Sequence, residues 1–170
     1  MNAIRSKTPY GASTTSLSRT PPGVAADSAG PAGPGGQPPD EILPIRSGEQ
    51  IVRLRRFLRE KAEALGLSQI DQTKVVTAAS ELARNTLIYG GGGDVHFYTL
   101  QRNGRVGLRL DFVDNGPGIP DIPKALTDGF TSGKGLGLGL GGAKRLCDEF
   151  DIRSAPGEGT HISVTKWKPF

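Results

Sequence analysis

Cysteine occurs once in the 170 residues, at Cys147, and histidine twice, at His96 and His161. A lone cysteine excludes an internal disulfide and a cysteine-based metal cluster, and it fits a reducing compartment. Neither histidine has a second His or Cys at metal-ligand spacing, so both read as ordinary strand residues. No apolar run approaches the roughly 20 residues that a membrane span needs. The first residues also lack the apolar segment of a secretory signal, and a soluble cytoplasmic protein is expected.

Large apolar residues are scarce before Asp40. Seven of the chain's 13 prolines and six of its 25 glycines fall in that stretch, which is otherwise mostly Ser, Thr and Ala. Such a composition buries too little apolar surface to offset the entropy of ordering, so residues 1–39 are expected to form a disordered arm. The core must then come from residues 40–170, enough for one domain. The net charge of +4 and pI of about 9.4 raise the question of nucleic acid. The basic residues cluster mainly at Arg53, Arg55, Arg56, Arg59 and Lys61, with Glu60 and Glu63 among them. That mixture reads as a solvated helix face and not as a phosphate track, so no nucleic-acid partner is expected.

From Asp40 onward the chain is well punctuated. Glu41 to Arg46 reads as a short strand whose Pro44 suits a sheet edge. Ser47 with Gln50 reads as a capping box before Ile51, Leu54, Phe57, Leu58 and Leu65 at helical spacing, and Gly66 closes that helix. Ser68 with Asp71 starts a second helix containing Val75, Val76, Ala79, Leu82 and Ala83, which ends in Gly90 to Gly93. Val95 to Leu100 and Val106 to Asp114 form a hairpin around Asn103-Gly104. A short helix is expected around Lys124 to Thr127. A third patterned helix carries Leu140, Ala143, Leu146, Cys147 and Phe150, with Cys147 packed on its apolar face. Asp151 to Ser154 and His161 to Trp167 make a last hairpin through Pro156-Gly157-Glu158-Gly159. This order predicts an α+β fold, a two-layer sandwich with helices on one face of a mixed, mostly antiparallel sheet.

Three segments carry chemistry. On the second helix, Glu81 and Asn85 are four residues apart and share a face, placing a proton acceptor beside a metal-binding oxygen. After the hairpin, Asp114 ends a strand directly before Asn115-Gly116-Pro117-Gly118, where regular structure must stop. Gly129 to Gly142 is a glycine-rich loop running into a helix, a natural phosphate cradle. It is not a Walker A loop, because the spacing from Gly129 to Gly133 is one residue short and Lys134 is followed by Gly135. Gly137, Gly139 and Gly142 match a dinucleotide fingerprint only in letters, because no strand directly precedes them.

In this order and spacing the segments resemble the N, G1 and G2 boxes of the GHKL superfamily, the Bergerat-fold ATP-binding domain of gyrase, Hsp90, histidine kinases and MutL. The stretches Ser-Glu-Leu-Ala-Arg-Asn, Asp-Asn-Gly-Pro-Gly-Ile-Pro-Asp-Ile and Ala-Lys-Arg-Leu-Cys-Asp-Glu-Phe narrow the match. With the final Gly-Thr-x-Ile-x-x-x-Lys-Trp, they resemble the RsbT-type switch serine kinases of the anti-sigma-factor kinase group. The resemblance covers approximately Asp40 to Lys168.

This resemblance implies an ATP- and Mg²⁺-dependent serine/threonine protein kinase of a bacterial stress-response partner-switching pathway. Asp114 would accept a hydrogen bond from the adenine amino group with Thr160 nearby, and Gly116 and Gly118 would let the backbone approach the base. Asn85 would hold Mg²⁺, and Glu81 would act as general base or orient the incoming hydroxyl. Lys134 and the amides around Gly135, Gly137 and Gly139 would cover the phosphates. The acceptor would be an STAS-domain antagonist protein, and release from it would let the kinase activate a downstream phosphatase. Two other readings stay open: an anti-sigma factor that binds a sigma factor directly, and a non-catalytic nucleotide-gated binding module.

Overall fold

The computed structural model describes residues 33–127 and 139–170. Most of the expected arm lies outside these residues, and so does the loop that holds Lys134, Gly135 and Gly137. The elements are β1 (Glu41–Ile45), α1 (Gly48–Ala64), α2 (Gln69–Ile88), β2 (Gly93–Arg102), β3 (Arg105–Asp114), α3 (Ile122–Ala125), α4 (Gly139–Leu146), β4 (Glu149–Ser154) and β5 (Thr160–Trp167).

Local chemistry sets their ends. Ser47 caps α1 by accepting from the Gln50 backbone, but the Gln50 side chain accepts from the Arg46 N–H, one residue further back than a capping box requires. At the other end Gly66 sits at φ +73°. Its N–H donates to the Glu63 carbonyl, and the Leu67 N–H donates to the Ala62 carbonyl, the paired bonds of a Schellman stop. Ser68 then caps α2 through the Asp71 N–H at 3.1 Å and donates its own proton to the Asp71 carboxylate at 2.7 Å. Asn103 (φ +53°) and Gly104 (φ +76°) turn β2 into β3, both in the left-handed region that a two-residue hairpin loop demands.

Two boundaries differ from expectation. The short helix starts at Ile122, because Asp121 accepts from the Lys124 N–H and Pro123 sits in the first turn, where its missing N–H costs nothing. Helix α4 stops at Leu146, and Phe150 belongs to β4, paired with Val164. Apolar spacing could not separate one more helical turn from an inward strand position. Cys147 follows α4 half-buried, packed against the core, and burial pushes its thiol up to about 12.

The sheet order is β1-β2-β3-β5-β4, antiparallel at each pairing, with β1 and its Pro44 at one edge. Side chains alternate across it. One face carries Val95, Phe97, Leu108, Leu110, Phe112, Ile162 and Val164, which join Leu54, Leu58, Val75, Ala79 and Leu82 of the helices in a single core. The opposite face carries His96, Tyr98, Arg109, Asp111 and Ser163. There the Arg109 guanidinium holds the buried Asp111 carboxylate at 2.6 Å. Ahead of β1, Gly33 lies directly against the Tyr98 ring, and the Asp40 N–H donates to the Phe97 carbonyl at 2.8 Å.

One buried ionic tie crosses the layers. Lys166 of β5 is 6% exposed, and its Nζ reaches Asp71 on the first turn of α2 at 3.2 Å and Asp148 beyond α4 at 2.9 Å. The basic residues of α1 are spent more loosely. Arg53 pairs with Glu49 and Arg56 with Glu60 on its solvent-exposed face.

Candidate active site

The buried face of the sheet changes character at one end. Rows of apolar partners, such as Val95, Phe112, Ile162 and Ile152, give way to the row Gly93, Asp114, Thr160 and Ser154. Asp114 therefore ends β3 on the side that faces the helices, with Thr160 directly opposite it on β5. Its carboxylate accepts from the Gly116 N–H at 3.0 Å and from the Thr160 backbone N–H. Burial nevertheless raises its pKa above the usual carboxylate value, because those two bonds offset only part of the desolvation.

Glycines let the surrounding backbone close on this carboxylate. A methyl group at Gly90 would lie 2.5 Å from Asp114 Cγ, and one at Gly116 would lie 2.6 Å from Gly90 Cα. Gly118, at φ +76°, presses against the Ala155 carbonyl, and Gly159, at φ +74°, against the Asp114 carbonyl. The loop after Asp114 and the turn between β4 and β5 are thus laced together. The Gly157 N–H donates to the Pro117 carbonyl at 2.8 Å and the Ile119 N–H to Ser154 Oγ at 2.8 Å.

Helix α2 brings the second half of the site. Gly90 is held by its N–H on the Asn85 carbonyl at 3.3 Å, so the turn carrying Asn85 ends where Asp114 begins. Glu81, one turn earlier, is 5% exposed although it is a carboxylate. Helix α4 packs on α2 and starts at Gly139, whose φ of +55° suits glycine where the loop enters the helix. The described residues therefore bring together Asp114, Thr160, Gly116 and Gly118, with the Asn85 turn against them and Glu81 one turn away. Gly139 stands at the start of the neighbouring helix, while Lys134, Gly135 and Gly137 lie outside the described residues.

Two residues were missed from sequence. Ser154 reads as an ordinary strand end, although a five-residue connection to Thr160 would have set the two opposite each other. Gly90 reads as a helix stop, and only tertiary packing shows it to be the contact surface for Asp114.

The fold, with α2 laid over a strand-end carboxylate and a glycine loop, defines a class. A family model described as "Histidine kinase-, DNA gyrase B-, and HSP90-like ATPase" matches residues 70–169, and the chain belongs to that family. Within it the chain is 47% identical over 117 residues to the serine/threonine-protein kinase RsbT of Bacillus subtilis (strain 168), covering 69% of this chain and 88% of that protein. It is accordingly a serine/threonine-protein kinase of the RsbT type. It is also 30% identical over 110 residues to an anti-sigma F factor of Thermoanaerobacter sp. (strain X514), covering 59% of this chain and 76% of that one. Among solved structures, a Mycobacterium tuberculosis protein with RsbU and RsbW domains superposes with a TM-score of 0.53 at 20% identity. The match covers 78% of this chain and 34% of that one, and it shows the shared fold.

Proposed function

We propose that this kinase uses ATP and Mg²⁺ to phosphorylate a serine or threonine on an STAS-domain antagonist protein in a bacterial stress-response partner-switching pathway. Released from that complex, it then activates a downstream phosphatase. The observation that carries the nucleotide site is the meeting of Asp114, Thr160 and Gly90 beneath the last turn of α2. A half-buried carboxylate acceptor with backbone drawn close around it suits the amino edge of adenine. The 47% identity to a serine/threonine-protein kinase supports transfer to a protein hydroxyl.

In this reading Asp114 accepts from the base, while Gly116 and Gly118 keep side chains out of the base plane. Asn85 offers an amide oxygen one helical turn after Glu81 on α2, and an amide oxygen with a carboxylate is an oxygen donor set of the kind Mg²⁺ takes with nucleotide phosphates. Bound there, Mg²⁺ supplies neutralisation of the charge on the transferred phosphoryl group. Glu81 accepts the proton of the incoming hydroxyl, or orients it. Lys134 with the amides of Gly135, Gly137 and Gly139 covers the phosphates. No described helix is long and apolar enough to cross a membrane, and we place the protein in the cytoplasm.

A second reading rests on the 30% identity to an anti-sigma F factor, namely that the chain also holds a sigma factor directly. Incubation with terminally labelled ATP and candidate STAS-domain proteins separates the possibilities. Label on a serine or threonine supports the kinase pathway, while nucleotide-dependent binding without label would leave a gated binding module. Co-purification of a sigma factor would support the anti-sigma reading.

A further inference from the structure

Ser154 sits at the end of β4, in the same cross-strand row as Asp114 and Thr160. Its hydroxyl oxygen accepts from the Ile119 N–H at 2.8 Å, donates to the Gly159 carbonyl at 2.7 Å, and lies 3.0 Å from Thr160 Oγ1. A hydroxyl has one proton and two lone pairs. The Ser154 proton is committed to Gly159, since that carbonyl can only accept. One lone pair is committed to Ile119, since that N–H can only donate. What remains for Thr160 is a lone pair, so the Thr160 hydroxyl is the donor in the third contact.

Polarity is thereby passed along the row. With its proton turned toward Ser154, Thr160 keeps only acceptor capacity for anything that meets it from the nucleotide side. Asp114 beside it, when ionised, is also acceptor-only, its backbone partners Gly116 and Thr160 having supplied the donors. We infer that Ser154 is a specificity-determining residue that holds the Thr160 hydroxyl as an acceptor, so that the Asp114–Thr160 pair selects a 6-aminopurine nucleotide over a 6-oxopurine one. The inference rests on the reading that this pair receives the base. An exocyclic amino group brings donors to two acceptors. A carbonyl oxygen in its place brings a third acceptor and leaves that edge one donor, the ring N1–H, for two protein acceptors that the amino group serves with two.

Ser154→Ala removes the acceptor for the Thr160 proton. Thr160 is then free to turn and donate to a carbonyl, which relaxes the selection without touching Asp114. Titrations of the full chain with ATP and inosine triphosphate, which carries oxygen in place of the amino group, measure the ratio of the two affinities. The ratio is expected to fall about tenfold in Ser154→Ala, the size of one hydrogen bond gained or left unmade. Partial unfolding lowers both affinities together on one preparation and leaves the ratio alone. Thr160→Val supplies the second arm, because with no Thr160 hydroxyl the Ser154→Ala change should no longer move the ratio.

An unchanged ratio in Ser154→Ala overturns the inference, and so does an equal change with and without the Thr160 hydroxyl. Asp114→Asn distinguishes this from failure of the site reading. If it leaves ATP affinity intact, the base does not bind at Asp114. If it weakens ATP while Ser154→Ala is silent, the base site stands and the role of Ser154 falls.

Discussion

Gly90 and Asp114 are in backbone-to-carboxylate contact: a Cβ added at Gly90 would come within 2.6 Å of Asp114 Cβ and 2.5 Å of its Cγ. The same added atom would meet the Thr86 carbonyl at 2.6 Å, so it has nowhere to retreat. Gly90→Ala is therefore expected to displace the carboxylate. It should weaken ATP binding more than tenfold and cost about 1–3 kcal/mol of stability through overpacking. Nucleotide titration and urea unfolding of the same variant check both, and unchanged affinity would show that this contact does not shape the site.

The proposed division of labour between Glu81 and Asp114 predicts opposite kinetic signatures. Glu81→Ala should lower phosphoryl transfer by about 10²- to 10⁴-fold with ATP affinity nearly preserved. Asp114→Asn should lower affinity itself. Single-turnover transfer rates beside equilibrium titrations read the two effects, and equal affinity losses would contradict the assigned roles.

Burial raises the Asp114 pKa, and with Asp114 in the proposed role this is expected to set the pH dependence of nucleotide binding. Only the ionised carboxylate offers acceptors alone, so affinity should fall on acidification, beginning above the ordinary carboxylate value of 3.8. The contribution to stability has the opposite sign. A group whose folded pKa is raised takes up its proton more readily when folded, so protonating Asp114 favours the folded state as pH falls through that value. ATP titrations between pH 4 and 8 test the first, and loss of the acid limb in Asp114→Asn assigns it.

The Asp71–Lys166–Asp148 tie should behave in the usual way for buried ions. The Ser68 hydroxyl, followed by Lys166 against the cost of burial, holds Asp71 below its ordinary value. Burial opposes the Lys166 charge, but the bonds to Asp148 and Asp71 outweigh it and raise its pKa. Stability from Asp71 is present above 3.8 and lost as pH falls through its lowered folded value. Stability from Lys166 is present below 10.5 and lost as pH rises through its raised one. Lys166→Met leaves two carboxylates facing an apolar end, and should cost about 2–4 kcal/mol, less than a fully buried pair because Asp148 is partly exposed. Urea unfolding at neutral pH measures it, and a change under 1 kcal/mol would show that solvent already carries these charges.

Much of the local structure was legible in the order of residues. Ser47, Gly66, Ser68 and Asn103-Gly104 act through hydrogen bonds and backbone angles within a few positions of themselves, so they declare helix ends and turns without a fold around them. Phe150 shows the limit, since its inward strand position repeats the helical spacing of Leu146 and only pairing with Val164 separates the two. Pairing across the chain was equally hidden. That β3 lies beside β5 rather than β4 depends on the whole sheet burying its apolar face, and this brings Thr160 to Asp114 from 46 positions away.

Sequence by itself determined that a carboxylate would end a strand just before a glycine turn, and that Glu81 and Asn85 would share one face of a helix. These follow from strand alternation, helical spacing and the refusal of Gly and Pro to continue regular structure. Only the tertiary structure decided which surfaces meet. Gly90 against Asp114, and Ser154 in line with Thr160, exist because long-range packing leaves room for a carboxylate but not for a methyl group.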